Sequence, residues 1–245
     1  MSAAITASMR VAGLTKRYGR VAALDDVGFS IRPGEVLGLI GPNGAGKTTL
    51  FECLAGALPA SGGALLRDGR AVEGRSRSEC LFYLPDAIAP WPAQPVGWAL
   101  DFAVGFFRGH REELQDVVAS LDLGPLLATA MGNLSKGERK RALLGIGLLT
   151  PQPLLLVDEP FDGLDLRQSR EVAATLRAHA ARGRTLLLSI HQIPDAARLC
   201  DRFVLLSGGR VRGEGSLDEL RALAGARGAL AAPAADLEEV FLALT

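Results

Sequence analysis

Gly41-Pro42-Asn43-Gly44-Ala45-Gly46-Lys47-Thr48-Thr49 is the stretch from which the rest of the chain is read. Gly41, four residues, Gly46, then Lys47 and the hydroxyl of Thr48 have the spacing of a phosphate-binding loop. Ahead of it, Val36-Leu37-Gly38-Leu39-Ile40 predicts a short buried strand. Behind it, Thr48 to Ala55 has the apolar face of a helix. In that setting the glycines let consecutive backbone N–H groups turn inward around a polyphosphate. The helix N-terminus adds orphan donors and a partial positive charge. Lys47 then reaches the β- and γ-phosphates, and Thr48 holds Mg²⁺ through its hydroxyl. An ordinary glycine-rich turn would leave the Lys-Thr register without a reason, so a nucleoside triphosphate site is expected here.

The loop does not say which kind of triphosphatase follows. The chain has 245 residues and a formal net charge of zero, so no overall positive field argues for nucleic acid as a partner. Lys16, Lys47, Lys136 and Lys140 are its only lysines, a bias that reads as compositional. Cys53, Cys80 and Cys200 show no metal-ligand spacing and read as small core residues of a reducing compartment. Met1-Ser2-Ala3-Ala4-Ile5-Thr6 lacks the pattern of a signal peptide. No apolar run approaches the ~18 residues that cross a bilayer. The expectation is a cytoplasmic protein.

Short apolar groups between Met9 and Ile31, then the turn signal Arg32-Pro33-Gly34-Glu35, predict a small antiparallel sheet. It is expected to take in roughly 9–35 and 62–84. Tyr18 is an edge-packing aromatic or a platform for a base. Pro90, Pro92 and Pro95 open a region of different character, read as a helical insertion of roughly 87–140 in an α/β core. After it come a helix from Lys136, the apolar strand Leu154-Leu155-Leu156-Val157, a helix from Arg167, and strands at 185–190 and 203–206. Strands that are apolar throughout suit a parallel sheet covered on both faces. Roughly 216–245 reads as a helical tail, interrupted by a linker-like stretch at 225–233.

Asp158-Glu159 ends a buried strand, where Asp158 can hold Mg²⁺ and Glu159 can orient the attacking water or take its proton. His191 stands at the end of another core strand. Asn133-Leu134-Ser135-Lys136-Gly137-Glu138 opens a helix, and a hydroxyl with N–H groups at a helix N-terminus makes an anion site.

That last stretch resembles the signature sequence of ABC transporter ATPases, with Lys136 and Glu138 in place of the usual Gly and Gln. Ser135 and Gly137 are kept, and the resemblance gives them the γ-phosphate bound by an opposite subunit. It extends over nearly the whole chain. Tyr18 matches the adenine-stacking aromatic, residues 41–49 the Walker A motif, and Asp158-Glu159 the Walker B motif with its catalytic glutamate. Gly163-Leu164-Asp165 matches a loop of the dimer interface, and His191 the switch histidine. Residues 236–245 look like the ending of ATPases that serve ABC-2-type exporters.

The resemblance implies an α/β fold: a P-loop (RecA-like) core with an antiparallel β subdomain and a helical subdomain. It also implies ATP and Mg²⁺ as cofactors, and Lys47, Glu159 and His191 as catalytic groups. The implied partners are a second ATP-binding domain, as homodimer or pseudo-dimer, and a separate transmembrane permease. The chain would then sit on the inner face of the cell membrane. The permease is expected to dock where the insertion starts, between Ala87 and Trp98, with Trp91 and Trp98 as groove walls or, for Trp98, as core. A soluble ATPase of iron–sulfur cluster assembly is the alternative. One residue departs from the pattern: Asp86 stands where a Gln usually contacts Mg²⁺ and the water. A carboxylate there either replaces that contact, as catalytic residue and metal ligand, or only caps the following segment.

Overall fold

The computed structural model describes residues 8–86, 88–229 and 235–245. The expectations for residues 1–6, for Ala87 and for 230–233 lie outside them. The chain opens with a long hairpin, β1 (Met9–Tyr18) and β2 (Val21–Ile31), where the sequence suggested several shorter strands. β3 (Val36–Ile40) leads into residues 41–46 and α1 (Lys47–Ala55). β4 (Gly62–Arg67) and β5 (Arg70–Ala71) join the hairpin in an antiparallel sheet of order β2-β1-β4-β5. Then follow α2 (Gly74–Cys80), β6 (Leu81–Leu84), α3 (Val96–Phe107), α4 (Leu114–Ser120) and α5 (Lys136–Leu148). The second half alternates strands with helices: β7 (Leu154–Asp158), α6 (Leu166–Ala181), β8 (Thr185–Ile190), α7 (Ile193–Leu199), β9 (Arg202–Ser207), β10 (Arg210–Gly215), α8 (Leu217–Ala226) and α9 (Leu237–Leu244).

The second sheet has the order β10-β9-β3-β8-β7-β6, with β9, β3, β8, β7 and β6 parallel and β10 antiparallel at one edge. Two boundaries differ from expectation. Leu81–Leu84 pairs with Leu154–Val157 in this core sheet, so the antiparallel sheet does not extend to residue 84. Gly225 belongs to α8, so helix occupies the start of the linker-like stretch.

Period-two alternation sorts the core strands between two apolar layers. Val36, Leu155, Val157, Leu186, Leu188 and Leu205 face the helical side. Leu37, Leu39, Leu154, Leu156, Leu187 and Val204 face α1 and the antiparallel sheet. All residues of β3, β7 and β8 are buried, as two covered faces require. Phe51 on α1 is fully enclosed, a burial worth ~1.5–3 kcal/mol. It anchors the helix whose N-terminus carries Lys47.

α5 is fixed at both ends. Ser135 caps its start: the Ser135 hydroxyl accepts from the Glu138 N–H at 3.3 Å, and the Glu138 carboxylate accepts from the Ser135 N–H at 2.8 Å. At its end the half-buried Arg184 guanidinium donates to the carbonyls of Gly147, Leu148 and Thr150, placing a cation at the helix C-terminus. Burial lowers the Arg184 pKa to about 10, so it stays charged at neutral pH.

Candidate functional site

The turn from β3 into α1 is shaped by close backbone approach. Gly46 has φ 105°, and a Cβ there would meet the Ala23 carbonyl oxygen at 2.7 Å; at Gly41 it would meet the Leu206 carbonyl oxygen at 2.3 Å. A side chain at either position would push the loop off the strands beneath it. The result is a cleft of about 250 Å³ lined by Ala23, Pro42, residues 43–49 and Glu159. Lys47, 7% exposed, folds back along the loop and donates to the carbonyls of Gly41 at 2.8 Å and Pro42 at 3.4 Å.

The ends of β7 and β8 bring the acids to this cleft. Asp158, 3% exposed, accepts from the Thr48 hydroxyl at 2.8 Å and from the Ser189 hydroxyl. The Ser189 Oγ accepts in turn from the Glu159 N–H at 3.1 Å. Glu159 has φ 51°, a conformation uncommon for a residue with a side chain and held here by its surroundings. Its two carboxylate oxygens face opposite cations or cation-formers: Lys47 Nζ at 3.9 Å and His191 Nδ1 at 2.5 Å. The Tyr83 hydroxyl is buried beside Asp158 without a hydrogen-bond partner among the described residues. Burial and the neighbouring carboxylates of Asp158, Glu52 and Asp86 push its pKa up, so it remains protonated.

Lys47, Thr48, Asp158, Glu159 and His191, chosen from separate parts of the sequence, are thus joined by direct contacts. Thr48 and Asp158 present two hard oxygen donors side by side. That fits Mg²⁺, which commonly binds through one or two protein groups with phosphate oxygens and water completing its shell. Among the described residues no cluster of three or more His, Cys, Asp and Glu competes as a metal centre.

The other expected residues stand outside this cleft. Tyr18 ends β1, is 51% exposed, and has Lys16 Nζ over its ring at 5.1 Å from the centroid. Ser135 is exposed at the start of α5 and does not line the cleft of its own chain. Gly137 is buried, and a Cβ there would meet the Gly163 carbonyl oxygen at 2.6 Å. Lys136 is ion-paired to Asp162, which lowers the Asp162 pKa and raises its own.

Asp86 is committed elsewhere from the contact expected of it. Its Oδ1 lies 2.6 Å from the buried Lys140 ammonium, and neither Thr48 nor the Asp158 side chain is among its hydrogen-bond partners. The physical reason is charge: an ammonium 5% exposed requires an anion. Lys140 and Ser189 were not singled out in the sequence. Ser189 had a signal, as the lone interior hydroxyl of the otherwise apolar Leu186-Leu187-Leu188-Ser189-Ile190.

Comparisons with known proteins agree with the geometry. The profile of the ABC transporter family matches residues 24–162. The chain is 34% identical to a hemin import ATP-binding protein of Pseudomonas aeruginosa, covering 86% of this chain and 88% of that one. It is also 34% identical to a Nod factor export ATP-binding protein of Rhizobium johnstonii, over 84% of this chain and 68% of the relative. Among solved structures, the ATP-binding subunit of an ABC transporter superposes with a TM-score of 0.85 at 28% identity, covering 96% of this chain and 98% of the other.

Proposed function

The chain belongs to the ABC transporter family as an ATP-binding, ATP-hydrolysing subunit, and from that premise we propose that residues 41–49, Asp158, Glu159 and His191 form its hydrolytic site and that the transport it powers is export. The observation that carries the site is Glu159, whose carboxylate spans Lys47 and His191 at the mouth of the phosphate cleft.

Residues 41–46 present backbone N–H groups to the phosphates, and Lys47 turns its ammonium from the loop carbonyls to the β- and γ-oxygens. Mg²⁺, held by Thr48 and Asp158, would neutralise charge on those oxygens. Ser189 keeps the Asp158 carboxylate and the Glu159 backbone in place. Glu159 orients a water and accepts its proton, and His191 fixes the rotamer of Glu159. Tyr18 stacks on the adenine. Asp86, paired with Lys140, is left out of the metal site.

The site is completed in a dimer, with Ser135 and Gly137 of one copy facing the cleft of another. A separate membrane permease receives the work, and the chain is peripheral to the membrane on its cytoplasmic side. Among the described residues no helix is long and apolar enough to cross a bilayer. The exposed aromatic face of α3 supports docking there. Trp98 stacks on Phe102 at 5.0 Å between ring centroids, and Phe102 on Phe106 at 5.5 Å. Trp98 and Phe106 are 40% and 68% exposed, which removes Trp98 from the core. Export rests on the likeness of residues 236–245 to exporter ATPases, and the relatives named above include both directions. No observation favours the iron–sulfur assembly alternative.

Glu159→Gln tests the site. It is expected to bind ATP as wild type does and to lower turnover by at least ~100-fold, accumulating an ATP-bound dimer in gel filtration with Mg²⁺. Undiminished hydrolysis by this variant refutes the role of Glu159. Direction is read from accumulation of substrate in inverted vesicles carrying the co-purified permease.

A further inference from the structure

The helical part leaves the core sheet at Asp86, just past β6, and returns to it through α5. The two crossings are joined. Lys140 Nζ lies 2.6 Å from Asp86 Oδ1 and 3.2 Å from the backbone carbonyl oxygen of Asp158. Lys140 is 5% exposed, while the Asp86 side chain keeps 32% of its surface open. Three segments remote in sequence therefore meet on one buried ammonium: the end of β6, the helix that starts at Ser135, and the end of β7. The Asp158 side chain points away from this contact, to Thr48 and Ser189, and the next residue is Glu159. A second ion pair, Lys136 with Asp162, ties the first turn of the same helix to the connection that follows β7. A hollow of about 350 Å³, lined by Asp86, Ile88, Lys136, Arg139, Lys140 and Leu143, adjoins the contact and leaves it room to move.

We propose that Lys140 is a positioning residue for hydrolysis: its ammonium clamps the neck of the helical part and, through the Asp158 carbonyl, sets the height of the turn that carries Glu159. The proposal rests on the reading of Glu159 given above. A movement of α5 shifts the ammonium and hence the backbone at Asp158 and Glu159. Displacement of a catalytic group by ~1 Å can cost ~100-fold in rate, so the clamp is felt in turnover without contact between Lys140 and ATP.

A double-mutant cycle over Asp86→Asn, Lys140→Met and the two together tests this, with thermal unfolding of the nucleotide-free protein and steady-state hydrolysis of Mg·ATP as readouts. Asp86→Asn leaves a buried ammonium without its anion and is expected to lower Tm by roughly 5 °C. The double variant removes both charges and is expected to return Tm to within about 2 °C of wild type. Lys140→Met and the double variant are expected to lose at least ~10-fold in kcat with KM within about twofold. A pair that only holds the fold together would recover kcat along with Tm, and that result overturns the proposal. So does wild-type kcat in Lys140→Met, or a double variant no more stable than Asp86→Asn. Glu159→Gln run alongside separates the failures: if it is inactive while Lys140→Met turns over normally, only the positioning role falls.

Discussion

Glu159 shows how much chemistry one residue position can concentrate. Its backbone is in the left-handed region, its N–H is held by Ser189, and its carboxylate meets Lys47 and His191. Tyr18 is the opposite case, an exposed ring with one cation above it. Base stacking on such a ring is worth ~1–3 kcal/mol, so Tyr18→Ala is expected to weaken ATP binding by roughly 10- to 100-fold and leave kcat within about twofold. An unchanged dissociation constant by titration calorimetry would remove Tyr18 from the site. The lysines also read differently one by one. Lys16 lies against Tyr18, Lys47 in the loop, Lys136 against Asp162 and Lys140 against Asp86. Each of the four is engaged by a partner group, so the composition bias read from the sequence hides a positional one.

At the scale of elements, charge is placed at helix ends and buried where they meet. His179 lies in the last turn of α6, buried, with Arg182, Arg184 and His110 close by. Glu113 approaches it at 3.6 Å but is shared with Arg182 at 3.7 Å. Burial, then the two guanidinia, lower its pKa to about 4. A histidine whose folded pKa is depressed contributes stability above its unfolded pKa, and loses it as pH falls, because the unfolded chain takes the proton first. Between pH 7 and 5 this group alone is expected to cost about 2 kcal/mol. Urea midpoints of wild type and His179→Gln check it: the variant should lose less between those pH values, and equal losses would assign the slope elsewhere. The aromatic face of α3 makes a second prediction. Phe102→Glu and Phe106→Glu should abolish recovery with permease-containing membranes and leave ATPase activity in solution within about twofold, since such exposed apolar faces mark contact surfaces. Normal recovery of both variants with membranes would put the docking site elsewhere.

At the scale of the whole molecule, the phosphate cleft and the start of α5 are separate surfaces of one chain, which is why the proposed site needs two copies. Lys47→Ala and Ser135→Ala are each expected to be inactive, and mixing them should restore up to about a quarter of wild-type activity, since random pairing makes half the dimers mixed and each mixed dimer keeps one intact site. No recovery, with mixed dimers demonstrated, would argue against shared sites or show that both must work together.

What the sequence determined by itself is what local chemistry dictates. Glycines at 41, 44 and 46, the Lys47-Thr48 register and the uniformly apolar runs at 36–40, 154–157 and 185–190 predicted the loop and the buried parallel strands, because backbone freedom and burial leave a mark within a few residues. Asp158, Glu159 and His191 were legible for the same reason, as polar residues at the ends of such runs. Sheet membership was not: Leu81–Leu84 has the same apolar text whichever sheet it joins, and its partner β7 lies some 70 residues on. The joining of Asp86 to Lys140 and of Ser189 to Asp158 was likewise decided only by the tertiary structure. A carboxylate and an ammonium 54 residues apart carry no shared pattern, and only the folded sheet, by withdrawing Lys140 from water, makes their pairing necessary.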